Sequence, residues 1–324
     1  MKLNNGISRH TSVFLVTVVL LLCSGYALYA AETAVPGMVV LNEITSTGDY
    51  DFIELFNTTD TDLVLGPEWQ ITDRVESRFD NDPAISFDGG TVIPAGGFLL
   101  IAPYKTSGLL ARIPEEIPES ALAFRSFAIG SKDEISLFFG DELVDYLSWQ
   151  SDVNSIGRVR DGTDELSALL VPTPGKPNKP EEIYAGKPLL LINEVCSSGL
   201  DYVELINVSG SDLVIEAGAW RLEDSQKSDS FIIPGGTEIA AGGLLVLYPD
   251  VLRLPFSAPD NALASTVGSR FGFGNSDSVY LKYKDMIVDF FMWSDHVTSM
   301  GRYPDGSSEI DLDLFLTPGK PNRD

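Results

Sequence analysis

Apolar residues along this chain fall in short runs, and none of the runs keeps a helical rhythm. Residues 52–56, 98–102, 135–139 and 244–248 are rich in β-branched and aromatic side chains, with Gly, Pro, Asp or Asn close at both ends. In Val203-Glu204-Leu205 and Ile135-Ser136-Leu137 apolar and polar positions alternate, the period of a strand with one face in a core. No window carries three turns of helical stripe, and residues 117–123 predict a single turn. About seven to nine such strands in roughly 110 residues predict an antiparallel sandwich.

The N-terminus breaks this pattern. Lys2 and Arg9 precede an apolar run at 13–22, and small residues follow at Ala27, Ala30 and Ala31. A basic start, a short apolar stretch and a small-residue cleavage zone predict a signal peptide over 1–31. The run is shorter than the ~20 apolar residues of a spanning helix. Two alternatives stand beside cleavage: an uncleaved anchor, and a lipoprotein with Cys23 lipidated. Leu22 argues against the second, because the residue before a lipidated Cys is normally small. The expected location is outside the cytoplasm, in a periplasm, at the cell surface or in the medium.

The remainder repeats itself once. Leu41-Asn42-Glu43-Ile44 returns as Ile192-Asn193-Glu194-Val195, and Asp51-Phe52-Ile53-Glu54-Leu55-Phe56-Asn57 returns as Asp201-Tyr202-Val203-Glu204-Leu205-Ile206-Asn207. Trp69 and Trp149 match Trp220 and Trp293, and Val144-Asp145 matches Val288-Asp289. Gly157-Arg158 with Asp161-Gly162 matches Gly301-Arg302 with Asp305-Gly306, and the closing Thr173-Pro174-Gly175-Lys176-Pro177-Asn178 recurs at 317–322. Two copies of this size are domains, since solenoid units run about 20–50 residues. The predicted domains are 36–178 and 188–324, joined by a linker at 179–187 that holds Pro180, a Glu pair and Gly186.

In this order the motifs resemble the lamin-tail domain: Asn-Glu, Asp-aromatic-aliphatic-Glu-Leu-x-Asn, Trp, Gly-Gly before an apolar strand, and Val-Asp. The resemblance covers residues 38–150 and 189–294. It implies two tandem immunoglobulin-like β-sandwiches, and the trailing Thr-Pro-Gly-Lys-Pro-Asn resembles the extension found after such domains in bacterial exported proteins. The chain carries no heptad rod and no basic import run, so it does not resemble a nuclear filament protein. In exported proteins the family is treated as an interaction or targeting module, which implies a protein or glycan partner at the cell envelope.

Charge narrows the functional classes. The whole chain has 47 acidic and 22 basic residues, and removing 1–31 leaves 20 basic against 47 acidic, a net of −27. The excess is spread over both copies, as a solvated surface would be. Nucleic acid is excluded as a partner, because phosphate contacts need clustered Lys and Arg. Beyond residue 31 one Cys (Cys196) and one His (His296) remain, too few for a thiolate or imidazole metal cluster. Cys196, at the end of an apolar run, is expected to be buried.

Glu43, Asp51 and Glu54, with Glu194, Asp201 and Glu204, are the acids from which a hydrolytic or Ca²⁺ site would be built. Asp51 and Glu54 are three apart on a strand and point to opposite faces. The structural alternative has these acids accept hydrogen bonds from backbone N–H groups or from Arg158 and Arg302. Trp69 and Trp220 then anchor the cores. Asp80, Asp82 and Asp88 have calcium-like spacing but lack the Gly and terminal Glu of an EF-hand loop. Ser294 or Ser299 beside His296 would need a nucleophile elbow that the sequence lacks. Asn57 and Asn207 head glycosylation sequons, and each is expected to cap a strand-end turn. The leading expectation is a non-enzymatic exported binding or structural protein without cofactor, whose membrane attachment would come only through the N-terminal anchor or Cys23. The rivals are a carboxylate-dependent, metal-assisted hydrolase and a calcium-stabilised adhesive spacer.

Overall fold

The polar positions of the alternating strands do not all face water. Val203, Glu204 and Leu205 are all fully buried, and so is Ser136. At Glu204 both faces of the strand are covered: one by a core, the other by the Gly319 loop from later in the chain. The structure, a computed structural model, describes residues 31–46, 51–73, 85–103, 107–125, 129–130, 132–150, 154–225, 230–266, 268 and 270–323. The predicted export segment with Cys23, and the acids Asp80 and Asp82, lie outside the described residues.

The fold is all-β, with several mostly antiparallel sheets arranged in the manner of a β-sandwich. Among the described residues six strands of four residues or more lie in each half, and the rest are two- or three-residue pairings. Among the described residues the helices are a turn at Ser107–Leu110, which the apolar pattern does not announce, and a 3-10 turn at Glu119–Ala121 inside the expected window. In the first half a six-stranded sheet runs Leu166–Ser167, Ile156–Arg158, Val39–Thr45, Phe52–Asn57, Phe98–Ala102, Leu122–Phe124. The second half has the same order: Ile310–Asp311, Met300–Arg302, Leu190–Cys196, Tyr202–Asn207, Leu244–Tyr248, Ala262–Ala264.

A four-stranded sheet accompanies each. In the first half it is Glu142–Trp149, Asp133–Phe139, Trp69–Thr72, Ile85–Ser86, and in the second Met286–Trp293, Asp277–Tyr283, Trp220–Asp224, Ser230–Ile232. Leu41, Leu55 and Leu99 from the larger sheet meet Trp69, Ile71 and Leu137 from the smaller in one buried cluster. Ile192, Leu205 and Leu247 meet Trp220, Leu222 and Leu281 in another. Each side chain so buried contributes about 1.5–3 kcal/mol. The Trp69 indole also donates to the Ala34 carbonyl at 3.1 Å, which satisfies its one polar atom.

Residues 31–324 pack as one unit, and the segment between the halves belongs to it. Lys179–Pro180 pairs with Leu170–Val171. The chain then lies against the outer edge of Met286–Trp293, where Ile287 donates to the Glu182 carbonyl at 2.7 Å and accepts from the Tyr184 amide at 2.8 Å. Glu181 reaches Lys282 at 3.3 Å, with both side chains nearly enclosed. The tether expected from its Pro and Gly content is therefore pinned by strand pairing and a buried ion pair.

Candidate functional site

The repeated motifs converge on one arrangement in each half. It begins with a β-bulge. Leu41 pairs with Leu55 and Glu43 pairs with Glu54, leaving Asn42 as the extra residue on its strand. The bulge sets two carboxylates directly opposite each other, and both are fully buried. Opposed like charges destabilise a strand pair, so each must be compensated by donors. In the second half Asn193 is the extra residue, and Glu194 pairs with Glu204 in the same way.

The donors come from the closing motif and from residues of the bulge and neighbouring strands. Glu54 accepts from the Asn42 amide at 2.9 Å and from the Gly175 backbone N–H at 2.8 Å. Glu43 accepts from the Ser155 hydroxyl at 2.5 Å, the Thr173 N–H at 3.1 Å and the Thr173 hydroxyl at 2.9 Å. Glu204 accepts from Asn193 and Gly319 at 2.9 and 2.7 Å, and Glu194 from Ser299 and the Thr317 hydroxyl at 2.5 and 3.1 Å. Tyr202, which replaces Phe52, adds a hydroxyl donor to Glu194 at 2.6 Å. The paired central strands therefore hold the Thr-Pro-Gly loop on their outer face through these carboxyl groups.

A second layer fixes the bulge. Asp161 accepts from the Asn42 side chain at 3.0 Å and the Asn178 N–H at 2.9 Å, and the Asn178 side chain donates to the Asn42 carbonyl at 3.0 Å. Asp305, Asn193 and Asn322 repeat these contacts at 3.1, 2.9 and 3.1 Å. Gly157 passes directly under the bulge, where a Cβ would lie 2.1 Å from the Asn42 carbonyl oxygen. Gly301 stands in the same relation to Asn193, at 2.3 Å. That contact explains the Gly of each Gly-Arg pair.

The arginines pair elsewhere than expected. Arg158 and Arg302 do not serve the glutamates. Arg158 pairs with Asp145 at 2.5 Å and donates to the Leu41 carbonyl at 2.7 Å, and Arg302 pairs with Asp289 at 2.8 Å and donates to the Ile192 carbonyl at 2.8 Å. The Asp of each Val-Asp pair also accepts from the Leu41 or Ile192 N–H, at 2.9 and 2.8 Å. A planar guanidinium suits this mixed set of carbonyl and carboxylate acceptors at the bulge edge.

Burial changes the acid chemistry. It pushes the Glu43 carboxyl up to about 7 against the pull of its Ser155 and Thr173 donors. Burial and the facing Glu43 raise Glu54 well above the usual carboxylate range. Glu204 is pushed up to about 8, again by burial first. Raised carboxyls in opposed pairs are what an acid–base enzyme uses. Here both members are fully enclosed, and the atoms against them are the protein's own.

The other candidate acids stand apart. Asp201 accepts from the Phe273 N–H at 2.7 Å, away from the Glu204 donors, and Asp51 is half-buried just ahead of its strand. Asp88 accepts from the Gly90 N–H at 3.0 Å on an exposed turn. Among the described residues no group of three or more His, Cys, Asp or Glu is placed to hold a metal ion. Cys196 is buried as a free thiol. His296 is exposed with its ring 3.4 Å from the Ser197 hydroxyl, while Ser299 is committed to Glu194. Asn57 and Asn207 are buried, with amides donating to loop carbonyls such as Thr61 and Ser211 at 2.7 and 2.8 Å.

A cleft of about 470 Å³ opens where the inter-half segment meets the second half, lined by Lys179, Glu181, Arg221, Glu223, Lys282 and Lys284 among others. Several of its charges are paired: Lys282 with Glu181 and Glu223, Arg221 with Glu223 and Asp285, and Lys284 with Glu216 nearby. Reading the sequence missed this cluster, because no counterpart exists in the first half to flag it. In the sequence Asp161-Gly162 and Asp305-Gly306 have the composition of plain turn dipeptides. Their recurrence beside Asn178 and Asn322 was the available signal that they hold something. The architecture is thus an all-β fold with a carboxylate-centred clasp in each half. Compared with known protein families and with curated proteins, the chain matches none.

Proposed function

We propose that the chain is an exported, non-catalytic binding or structural protein of the cell envelope. On this reading it is built from two tandem lamin-tail-like sandwiches of immunoglobulin type, and its partner is a protein or a glycan. One observation carries the proposal: the acids repeated in both halves are spent inside the fold. Glu43, Glu54, Glu194 and Glu204 have no exposed surface, so a substrate would have to displace the Thr-Pro-Gly loop to reach them. Catalysis requires a reacting atom within hydrogen-bond reach of its acid or base, and those directions are filled by Ser155, Thr173, Gly175 and their counterparts. The repeated sheet order and the signal-like N-terminus support the tandem and exported parts of the reading.

The test uses purified chain without residues 1–31 and its Glu54→Gln and Glu204→Gln variants. Each is offered fluorogenic glycoside, phosphodiester and ester substrates, and each is titrated against immobilised cell-envelope fractions. The expected result is saturable envelope binding that survives both substitutions, with no turnover. Turnover that either substitution abolishes, in a chain that still folds, would overturn the proposal.

A further inference from the structure

The cleft of about 470 Å³ where the inter-half segment meets the second half departs in charge from the rest of the chain. Beyond residue 31 acids outnumber bases 47 to 20, yet the cleft is lined by four of each. Its floor is formed by the strands Trp220–Asp224 and Asp277–Tyr283, on the face turned away from the core. There Arg221 and Lys282 stand directly opposite each other, and opposed like charges destabilise a strand pair. The sheet itself does not call for them, since the first half pairs Gln70 with Phe138 at the same place.

Pinning the inter-half segment accounts for only one of these cations. Lys282 reaches Glu181 of that segment at 3.3 Å. Arg221 pairs instead with Glu223 at 2.6 Å and Asp285 at 2.8 Å, and Lys284 with Glu216 at 3.3 Å, all within the second half. Lys284 is moreover held at a backbone angle that lysine disfavours. In the two-residue turn after Asp277–Tyr283 it has φ 49°, followed by Asp285 at φ 71°. The first half puts Gly140 at that position, with φ 56°, and glycine adopts such an angle freely. The Lys284–Glu216 pair is exposed on both sides, 53% and 64%, and offsets little of the strain. Strain of this kind collects at ligand clamps, where a particular side chain is needed for something other than the fold.

Groups of both signs remain open in the cleft. Arg221 commits Nε to Glu223 and Nη2 to Asp285, and its Nη1 has no acceptor among the described residues. Glu223 is committed to both Arg221 and Lys282. Lys179 and Glu182 are exposed, and neither side chain has an ion-pair partner among the described residues. The enclosed floor therefore offers a cationic donor, while Glu182 and the 86%-exposed Asp285 offer negative charge at the rim. A ligand that answers both carries a carboxylate and an ammonium. A pure anion would meet the rim acids and a net charge of −27 beyond residue 31, and a pure cation would meet Arg221 and Lys282. In size the cleft falls within the roughly 300–1,000 Å³ of small-molecule sites, and it lies at a junction of the kind where they form.

We propose that this cleft binds a small zwitterion of the amino-acid kind, free or as a short peptide. Its carboxylate is held by Arg221, with Lys284 at the rim drawing it in, and its ammonium lies toward Glu182 and Asp285. The first half, with Gln70, Phe138 and Gly140 at the matching positions, has no such site. The cleft is separate from the envelope partner proposed above, so either can fail while the other stands.

The experiment is calorimetric titration of the chain without residues 1–31 with each free L-amino acid and with triglycine. The amide and the N-acetyl form of the best binder carry the cation or the anion alone. Binding is expected at about millimolar Kd or tighter, with each capped form weaker by at least about tenfold. A free amino acid that outbinds triglycine identifies the free form as the ligand, and the reverse order identifies a peptide. Two variants carry the first-half residue. Arg221→Gln is expected to weaken binding by at least about tenfold. Lys284→Gly is expected to weaken it while holding or raising the melting temperature, because the turn is relieved. No binding of any probe up to about 20 mM would overturn the inference, as would an N-acetyl form that binds as well as its parent. A Lys284→Gly chain that melts below the wild type would overturn it too, by showing that the fold itself needs the lysine.

Discussion

Raising the pH should loosen this protein across the range where most proteins are at their firmest. Glu43 and Glu204 carry carboxyls raised to about 7 and about 8 from a usual value of 4.5. In the unfolded chain both lose their protons near the usual value, so between about pH 4.5 and 8 the folded state binds more protons than the unfolded one. Stability therefore falls as pH rises through that window, and the contribution is fully present below it. A tenfold change in proton affinity is about 1.4 kcal/mol, which makes the loss on the order of 3 kcal/mol for Glu43 and 5 kcal/mol for Glu204. Glu54, Asp201 and Asp289, raised first of all by burial, act in the same direction. Glu223 acts oppositely, because against the effect of burial Lys282 and Arg221 hold it below its usual value. Its contribution is present above about 4.5 and lost as pH falls below that, which puts the optimum near pH 5. The assay is thermal unfolding between about pH 4.5 and 8.5, at about 0.15 M and 0.5 M salt. High salt screens the surface excess of acid and leaves the buried groups. A melting temperature that is flat or rising from pH 5 to pH 8 in high salt would refute the reasoning, as would an undiminished slope in the Glu43→Gln, Glu204→Gln double variant.

Two further substitutions probe the packing of the clasp and of the inter-half segment. Gly157→Ala places a methyl 2.1 Å from backbone oxygen and 2.9 Å from the Glu43 Cα. It should cost about 3 kcal/mol or more in denaturant unfolding, because backbone cannot give way as a side chain does. An Ala variant with wild-type stability would mean that the strand does not pass under the bulge. Lys282→Ala leaves Glu181, with 7% of its side chain exposed, without its cation, at a cost of roughly 3–5 kcal/mol. Pairing Lys282→Met with Glu181→Gln should recover most of that loss, and no recovery would show that the ion pair is not what pins the segment.

Much of the sheet framework was legible in the sequence, because strands with one face in a core announce themselves by period. The paired tryptophans lie in the two buried clusters, and the short apolar runs 98–102 and 244–248 coincide with strands. The bulge was not legible. Nothing in Asn42-Glu43 says that one residue will be left out of register, and without that slip the two glutamates would not face each other. Period also misled at Glu204, whose polar position reads as solvent-facing and is covered by a loop more than 100 residues later in the chain. Contacts at such separation leave no local pattern. Their trace was instead the recurrence of Asp161, Thr173 and Asn178 as Asp305, Thr317 and Asn322 in the same order. The Glu181–Lys282 pair occurs once, and so had no trace to read.

The central claim is that the repeated acids hold the Thr-Pro-Gly loops onto the strands, and amide hydrogen exchange in those loops tests it most directly. The Thr173 and Gly175 amides, with Thr317 and Gly319, donate to the buried carboxyl groups, and a buried donor left without its acceptor costs about 1–3 kcal/mol. In the wild-type chain peptides covering 170–178 and 314–322 should exchange slowly despite having little regular structure. Glu54→Gln sets an amide donor against a donor and should speed exchange roughly 5- to 150-fold in the first loop and leave the second unchanged, and Glu204→Gln should do the reverse, since these factors correspond to the same 1–3 kcal/mol. Loops that exchange at the unfolded rate in the wild type, or that keep their protection when the glutamate is replaced, would contradict the account.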